Sequence, residues 1–312
     1  MNWVFKYKNI VKKILFGGAR AEEGIIYKFI IYALLTVIGF VYLYPLLYML
    51  ANSFMNLSDL ISSSIRWVPS GLYLENYRRA LQIMDVTNTF WQTLLVAGLP
   101  AVLQTISTAL VGYGFGRYKF PGRRLLFLLM LATFIIPPQV TMIPRYLLFS
   151  RYDILGTFYT FVFPAILGQG LRSAIFVLIF YSMFKQIPDA LVEAAKIDGA
   201  GNVKIFYKIA IPLSIPAIVI AFLFSFVWYW NETYLASIYF GNVFSTLPLE
   251  LQNFADSFAQ MYGGAGDSPM NQLNEAIIMA GTLVTIGPLL ILYSISQRWF
   301  VESVDRTGIT GE

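Results

Sequence analysis

The chain of 312 residues has no cysteine and no histidine. Without thiols it can form no disulfide, thiolate metal site or cysteine nucleophile. Without imidazole it lacks the commonest metal ligand and the commonest general base. Charged residues are scarce: they make up 12% of the chain, against about 25% in an ordinary soluble domain. A glycine-rich cradle for nucleotide phosphates is missing too, because Gly199 to Lys204 has neither the spacing nor the hydroxyl residue such a loop needs. Any ATP hydrolysis must therefore belong to another chain. Apolar residues dominate: hydrophobic types reach 57% and mean hydropathy is +0.64. This excludes a disordered chain, a collagen-like fibre and a typical cytosolic globule, and fits a polytopic membrane protein.

Six apolar stretches are long enough to cross a bilayer, which takes about 20 residues. They run roughly over residues 25–54, 89–115, 124–144, 158–184, 211–240 and 275–300. The runs are continuous rather than alternating, so they predict helices and not a barrel. The first is too long and too late for a cleaved leader and is expected to stay as an anchor. Basic residues set the orientation. They crowd the N-terminal arm (Lys6, Lys8, Lys12, Lys13, Arg20, Lys28), the connection Arg117–Arg124 and the connection Lys185–Lys208, with Arg298 and Arg306 near the end. Fewer fall on the other side, among them Arg78, Arg79, Arg145 and Arg151, and residues 241–272 contain no Lys or Arg. Both termini are expected in the cytoplasm. The net charge of +5 is thus mostly an orientation signal, and no nucleic acid is expected as a partner. The predicted organisation is a basic arm (1–24), one membrane domain (25–300) and a short cytoplasmic tail (301–312). Prolines inside several runs, including Pro100, Pro137, Pro138, Pro164 and Pro216, are tolerated at membrane depth where neighbouring helices or a cavity satisfy the freed backbone groups.

The connection 185–212 is too polar for the bilayer and too patterned for a slack loop. Pro188 and Asp189 suit a helix start. Leu191, Ala194 and Ala195 follow an i, i+3, i+4 spacing, and Gly199 comes where a helix stop belongs. A second short helix is predicted from Asn202, with Val203, Phe206 and Tyr207 on one face and Lys204 and Lys208 on the other. This predicts a helix–turn–helix at the cytoplasmic surface, with Glu193 near its small-residue face, able to pair with a partner arginine. The residues alone leave two readings open: docking onto a partner protein, or an interfacial pair lying on lipid.

Two charges stand inside predicted spans: Arg172 beside Gln169 and Gly170, and Glu232 beside Asn231. A mid-bilayer charge costs at least about 2.5–3.5 kcal/mol on insertion scales, so such residues should face a pore, a partner or each other. Trp228, Tyr229 and Trp230 immediately precede Asn231. Rings that meet the flat C–H faces of a sugar, with an amide and a carboxylate for its hydroxyls, make Trp228, Tyr229, Asn231, Glu232 and Arg172 candidates for a solute path. Interhelical pairing and interfacial aromatic belts explain the same residue types without any solute.

Several motifs resemble one family. Glu193-Ala194-Ala195, then Asp198-Gly199-Ala200, with Ile211-Pro212 downstream, resembles the EAA loop of permease subunits of ATP-binding-cassette importers. The basic turn Gly116–Arg124, the pairs Ile136-Pro137 and Ile143-Pro144, Trp230-Asn231-Glu232, Thr246-Leu247-Pro248-Leu249 and Gln297–Val301 with Gly308-Ile309 and Gly311 are similar to the carbohydrate, MalG-type branch. Ser303 stands where many relatives have glycine, so no role is carried over for the tail. The resemblance implies an all-α membrane protein of six transmembrane helices with type I importer architecture. It implies a coupling element built on Leu191, Glu193, Ala194, Ala195, Asp198 and Gly199. It also implies a second, MalF-like permease subunit, two ATPase subunits carrying ATP and Mg2+, and an extracytoplasmic solute-binding protein, all at a bacterial inner membrane. The expected cargo is a sugar, specifically an oligosaccharide. The same architecture for a non-sugar solute is the nearest alternative. A membrane-embedded enzyme or a passive channel would leave the EAA-like loop unexplained.

Overall fold

The apolar runs fold as helices, and the prolines and glycines decide where those helices break. The computed structural model describes residues 24–62, 64, 67–241, 243–263 and 272–306. Most of the basic arm, and Gly308, Ile309 and Gly311 of the tail motif, lie outside them. Among the described residues every regular element is helical, so the fold is all-α. The first run becomes α1 (Ile25–Ser53), followed by the short α2 (Leu57–Ile61) and α3 (Glu75–Ile83). The second becomes α4 (Val86–Arg117), 32 residues long, hence about 48 Å at 1.5 Å per residue.

The next three runs are interrupted. The third gives α5 (Arg123–Ile135) and α6 (Pro138–Arg151), which diverge by 99° at Ile136-Pro137. A residue before proline disfavours helical backbone and Pro138 lacks an N–H, so the helix stops and a new one starts with proline in its first turn. The fourth gives α7 (Tyr159–Ile166) and α8 (Ser173–Lys185), and the connection after it α9 (Asp189–Ile197) and α10 (Asn202–Ile205). A π-helical turn, Phe206–Ala210, leads into α11 (Ile211–Leu213), and the chain bends by 75° into α12 (Ile215–Trp230). The fifth run finishes with α13 (Thr233–Phe240). Two short helices, α14 (Leu247–Gln252) and α15 (Phe254–Tyr262), precede α16 (Glu275–Arg306). Helices α1, α4 and α16 are each long and apolar enough to cross a membrane, and three bent pairs bring the number of possible spans to six.

The chain forms two compact units, one running to Tyr77 and including Asn274–Ala280, the other comprising Arg78–Leu273 and Gly281 onward. In the first unit, α1 buries only Asn52 and Ser53 and leaves its apolar length uncovered. The segment after it is fastened by polar bonds. Asn76 donates to the carbonyls of Ser53 and Met55 at 2.9 and 2.8 Å, and the buried Asp59 accepts from the Ser70 hydroxyl and backbone N–H.

In the second unit α4 is the central post, packed against α8, α12 and α7. Close approach to α8 depends on Gly112 and Gly116. A Cβ at Gly112 would sit 2.5 Å from the Phe180 Cβ and 3.0 Å from the Tyr181 nitrogen, and one at Gly116 would sit 3.2 Å from the Phe184 Cβ. Two glycines four apart let helix backbones meet in an apolar medium, where packing rather than water exclusion holds helices together. Ala217 and Ala221 are fully buried on α12, the same small-residue device.

Candidate functional site

The helix–turn–helix predicted over residues 185–212 is present. Pro188 and Asp189 open α9, and its C-terminus closes as a Schellman motif. The Ala200 N–H donates to the Ala195 carbonyl at 2.9 Å and the Gly199 N–H to the Lys196 carbonyl at 3.0 Å, with Gly199 at φ +77°. Only glycine takes this left-handed backbone without a Cβ penalty, so Gly199 is the stop its position predicts. None of the nine residues of α9 is buried. Leu191, Glu193, Ala194, Asp198 and Gly199 are exposed, Ala195 is half-covered, and Ile197 just beyond is 86% exposed. The hairpin's second arm differs from expectation. Phe206 turns inward and is buried, whereas Val203 and Tyr207 face out. Ile205, Phe206 and Ala210 are the residues this arm buries, the last two within the π turn.

Beneath the hairpin lies a ring cluster. Tyr113 of α4 meets Phe184 of α8 at 5.1 Å and Phe206 at 4.7 Å between centroids. Beside it Arg117, at the end of α4, donates from Nη1 to the Ile187 carbonyl at 2.9 Å and from Nη2 to Asp189 Oδ1 at 2.7 Å. The start of α9 is therefore tied to the C-terminal end of α4. The sequence marks Arg117 as an orientation charge and as part of the basic turn Gly116–Arg124. Its place as the last residue of α4, facing an acidic helix start in another connection, is visible only in three dimensions.

A second constellation surrounds the break between α7 and α8. Gln104, fully buried on α4, donates from Nε2 to the Leu171 carbonyl at 2.7 Å and accepts on Oε1 from the Tyr229 hydroxyl at 2.6 Å. The same hydroxyl accepts from the Leu171 N–H at 3.2 Å. This closed ring of three bonds satisfies backbone groups that the broken helix leaves free, as apolar surroundings require. Any Cβ at Gly170 would collide with Gln104 and Tyr229, so glycine is needed there. The sequence held one signal for this, the Gln104 amide in the middle of the apolar run of α4.

The candidate path residues separate into two groups. Arg172 is the residue before α8, at φ +52°, and its guanidinium carbon lies 4.7 Å from the Trp228 ring centre. Trp228 also packs on Phe176. Tyr229 is buried in the clasp just described. Asn231 and Glu232 form the break between α12 and α13: Asn231 bonds back to the Val227 carbonyl, and the Glu232 carboxylate caps α13 by accepting from the Leu235 N–H at 3.0 Å. A cavity of about 510 Å3 opens where α5, α6, α8 and α13 converge, with Arg145, Gln169, Arg172 and Tyr239 on its wall. Arg172 and Arg145 both line it; Asn231 and Glu232 do not. Arg145 was read from sequence only as an external charge. The 99° turn after α5 is what brings α6, and Arg145 with it, back against the cavity.

Comparison with known proteins follows this geometry. Residues 108–306 match the family described as binding-protein-dependent transport system inner membrane component. The osmoprotective compounds uptake permease protein GgtD of Synechocystis sp. is 30% identical over 279 residues, covering 87% of this chain and 88% of the relative. The diacetylchitobiose uptake system permease protein NgcG of Streptomyces coelicolor is 27% identical over 279 residues, covering 88% and 86% respectively. Among solved structures, a bacterial ABC transporter involved in the import of the acidic polysaccharide alginate superposes with a TM-score of 0.70 at 19% identity, over 91% of this chain and 99% of that one. That last likeness is one of fold.

Proposed function

The chain belongs to the binding-protein-dependent transport system inner membrane components, and from that membership we propose that it is one permease half of an importer for a sugar, specifically an oligosaccharide. The solute is delivered by an extracytoplasmic binding protein. A second permease completes the path, and two ATPase subunits carry ATP and Mg2+ on the cytoplasmic side, where both termini of this chain lie. Helix α9, with Leu191, Glu193, Ala194, Ala195, Asp198 and Gly199, docks on an ATPase and transmits its motion to α4 through Arg117.

The observation that carries this reading is α9 itself. It is a helix with both ends fixed, by the Arg117 contacts and by the Schellman turn, yet none of its residues is buried. A nine-residue helix is too short to be stable on its own propensity, and its amphipathic pattern supports a protein partner. The saccharide assignment is supported by NgcG, a relative named for diacetylchitobiose uptake, and by the Trp228 ring under Arg172 of the cavity wall.

The test is purification from native membranes through an N-terminal tag, with ATPase activity assayed. Recovery of a cassette ATPase and a second permease is expected, together with cross-linking from Ala195→Cys to the ATPase that changes with nucleotide. Recovery of this chain alone, or a cross-link indifferent to nucleotide, would overturn the coupling role.

A further inference from the structure

The cavity beside α8 is unusually cationic for its surroundings. Two guanidinium groups, Arg145 and Arg172, stand on its wall, and no Asp or Glu does. Among the described residues neither arginine has a carboxylate partner. Like charges lining one cavity repel and are costly to bury unless something of opposite sign joins them. We propose that the cavity receives the anionic group of an acidic saccharide, a uronate carboxylate or a sugar phosphate, between Arg145 and Arg172. This deepens, and rests on, the reading of the chain as a saccharide permease.

Three further observations favour an anion there. The thirteen-residue helix α8 begins at the cavity wall with Ser173 and Ala174, so the positive end of its dipole adds to the arginine charges. Arg172 is held in place. Its backbone takes the left-handed conformation that side-chain-bearing residues disfavour, the adjoining Leu171 is clasped by Gln104 and Tyr229, and its guanidinium stacks on Trp228. That restraint leaves the planar donor fork preformed for a bidentate oxyanion contact. Finally, Phe134, Ile136 and Leu235 supply apolar wall for the ring faces of a sugar, and the volume falls within the range of about 300–1,000 Å3 typical of small-ligand sites. A neutral sugar would need only uncharged donors.

The experiment uses the complete importer with its own binding protein in proteoliposomes. The binding protein is first screened against neutral probes (maltotriose, xylotriose, chitotriose) and acidic ones (trigalacturonate, an aldotetraouronic acid, glucose 6-phosphate). Uptake of whichever probe it loads is then measured for the wild type and for Arg145→Gln and Arg172→Asn, asparagine being chosen because it tolerates left-handed backbone. Loading of an acidic probe is expected, and its uptake should fall about 10- to 100-fold in each variant, the size of losing a charge-assisted hydrogen bond. Whether the uronates or the phosphate is loaded identifies the anion. Arg145→Lys and Arg172→Lys keep the charge and should retain uptake within tenfold; they decide the matter if a neutral variant does not assemble. A binding protein that loads only neutral probes, or acidic uptake unchanged in both neutral variants, overturns this proposal while leaving the saccharide permease intact. Loading of neither class overturns the saccharide reading and this proposal with it.

Discussion

Replacing Arg117 with alanine isolates the anchor of the coupling hairpin. Arg117 makes two contacts of unequal worth. Its partner Asp189 is 82% exposed, while the Arg117 side chain is only 13% exposed. An ion pair with so solvated a carboxylate contributes about 0–1 kcal/mol. The bond to the Ile187 carbonyl, from a charged and mostly buried donor, contributes about 1.5–3 kcal/mol. Asp189→Asn removes the first alone; Arg117→Ala removes both. Taking about 2–3 kcal/mol for the alanine variant, local opening of α9 should rise about 30- to 150-fold, at a factor of ten per 1.4 kcal/mol. The asparagine variant should raise it about fivefold at most. Amide hydrogen exchange over residues 189–198, measured on the chain in nanodiscs, reads this opening directly. Equal acceleration in the two variants would place the anchor in the ion pair. No acceleration in Arg117→Ala would show that α9 is held by something else.

Other perturbations follow from the packing. Gly112→Leu forces a side chain into the α4–α8 contact and should cost about 1–3 kcal/mol, seen as a lower thermal midpoint in detergent, whereas Gly114→Leu, where a Cβ meets nothing within 4 Å, should change it little. Tyr229→Phe leaves the Gln104 amide and the Leu171 N–H short of a partner and should cost about 1–3 kcal/mol; a midpoint equal to wild type would mean the clasp contributes nothing net. Gly199→Val must hold φ near +77° at a cost of roughly 1–2 kcal/mol, and solute-stimulated ATPase of the assembled importer should fall with it.

Much of this molecule is legible in its sequence because helices in an apolar medium are announced by length. The six runs, the α9 start at Pro188 and its stop at Gly199 all follow from local rules. The breaks are less legible. Pro137-Pro138 marks a turn, but only the fold makes it 99° and carries Arg145 to the same cavity as Arg172. Glu232 looked like a membrane charge seeking a partner; in the structure its carboxylate also serves as a helix cap, because the fifth run breaks beside it. Gln104 and Arg117 act across 67 and 70 residues of sequence, respectively, and no periodicity reports contacts at that range. The spacing groups Phe206 with Val203 and Tyr207 on one face, whereas the structure starts a π turn at Phe206, buries it with Ile205 and Ala210, and leaves Val203 and Tyr207 exposed.

That π turn has a consequence for how the coupling hairpin is oriented. In a helix each residue advances the face by about 100°, and a π turn accommodates one residue more than an α turn. Phe206–Ala210 therefore holds one extra residue between α10 and α12 within a single turn. Deleting one residue within it should restore regular α-helix and leave the exposed α9 facing nearly the same way relative to α12. The same deletion placed in α10 has no such slack and should swing α9 by about 100°, presenting a different side to whatever docks there.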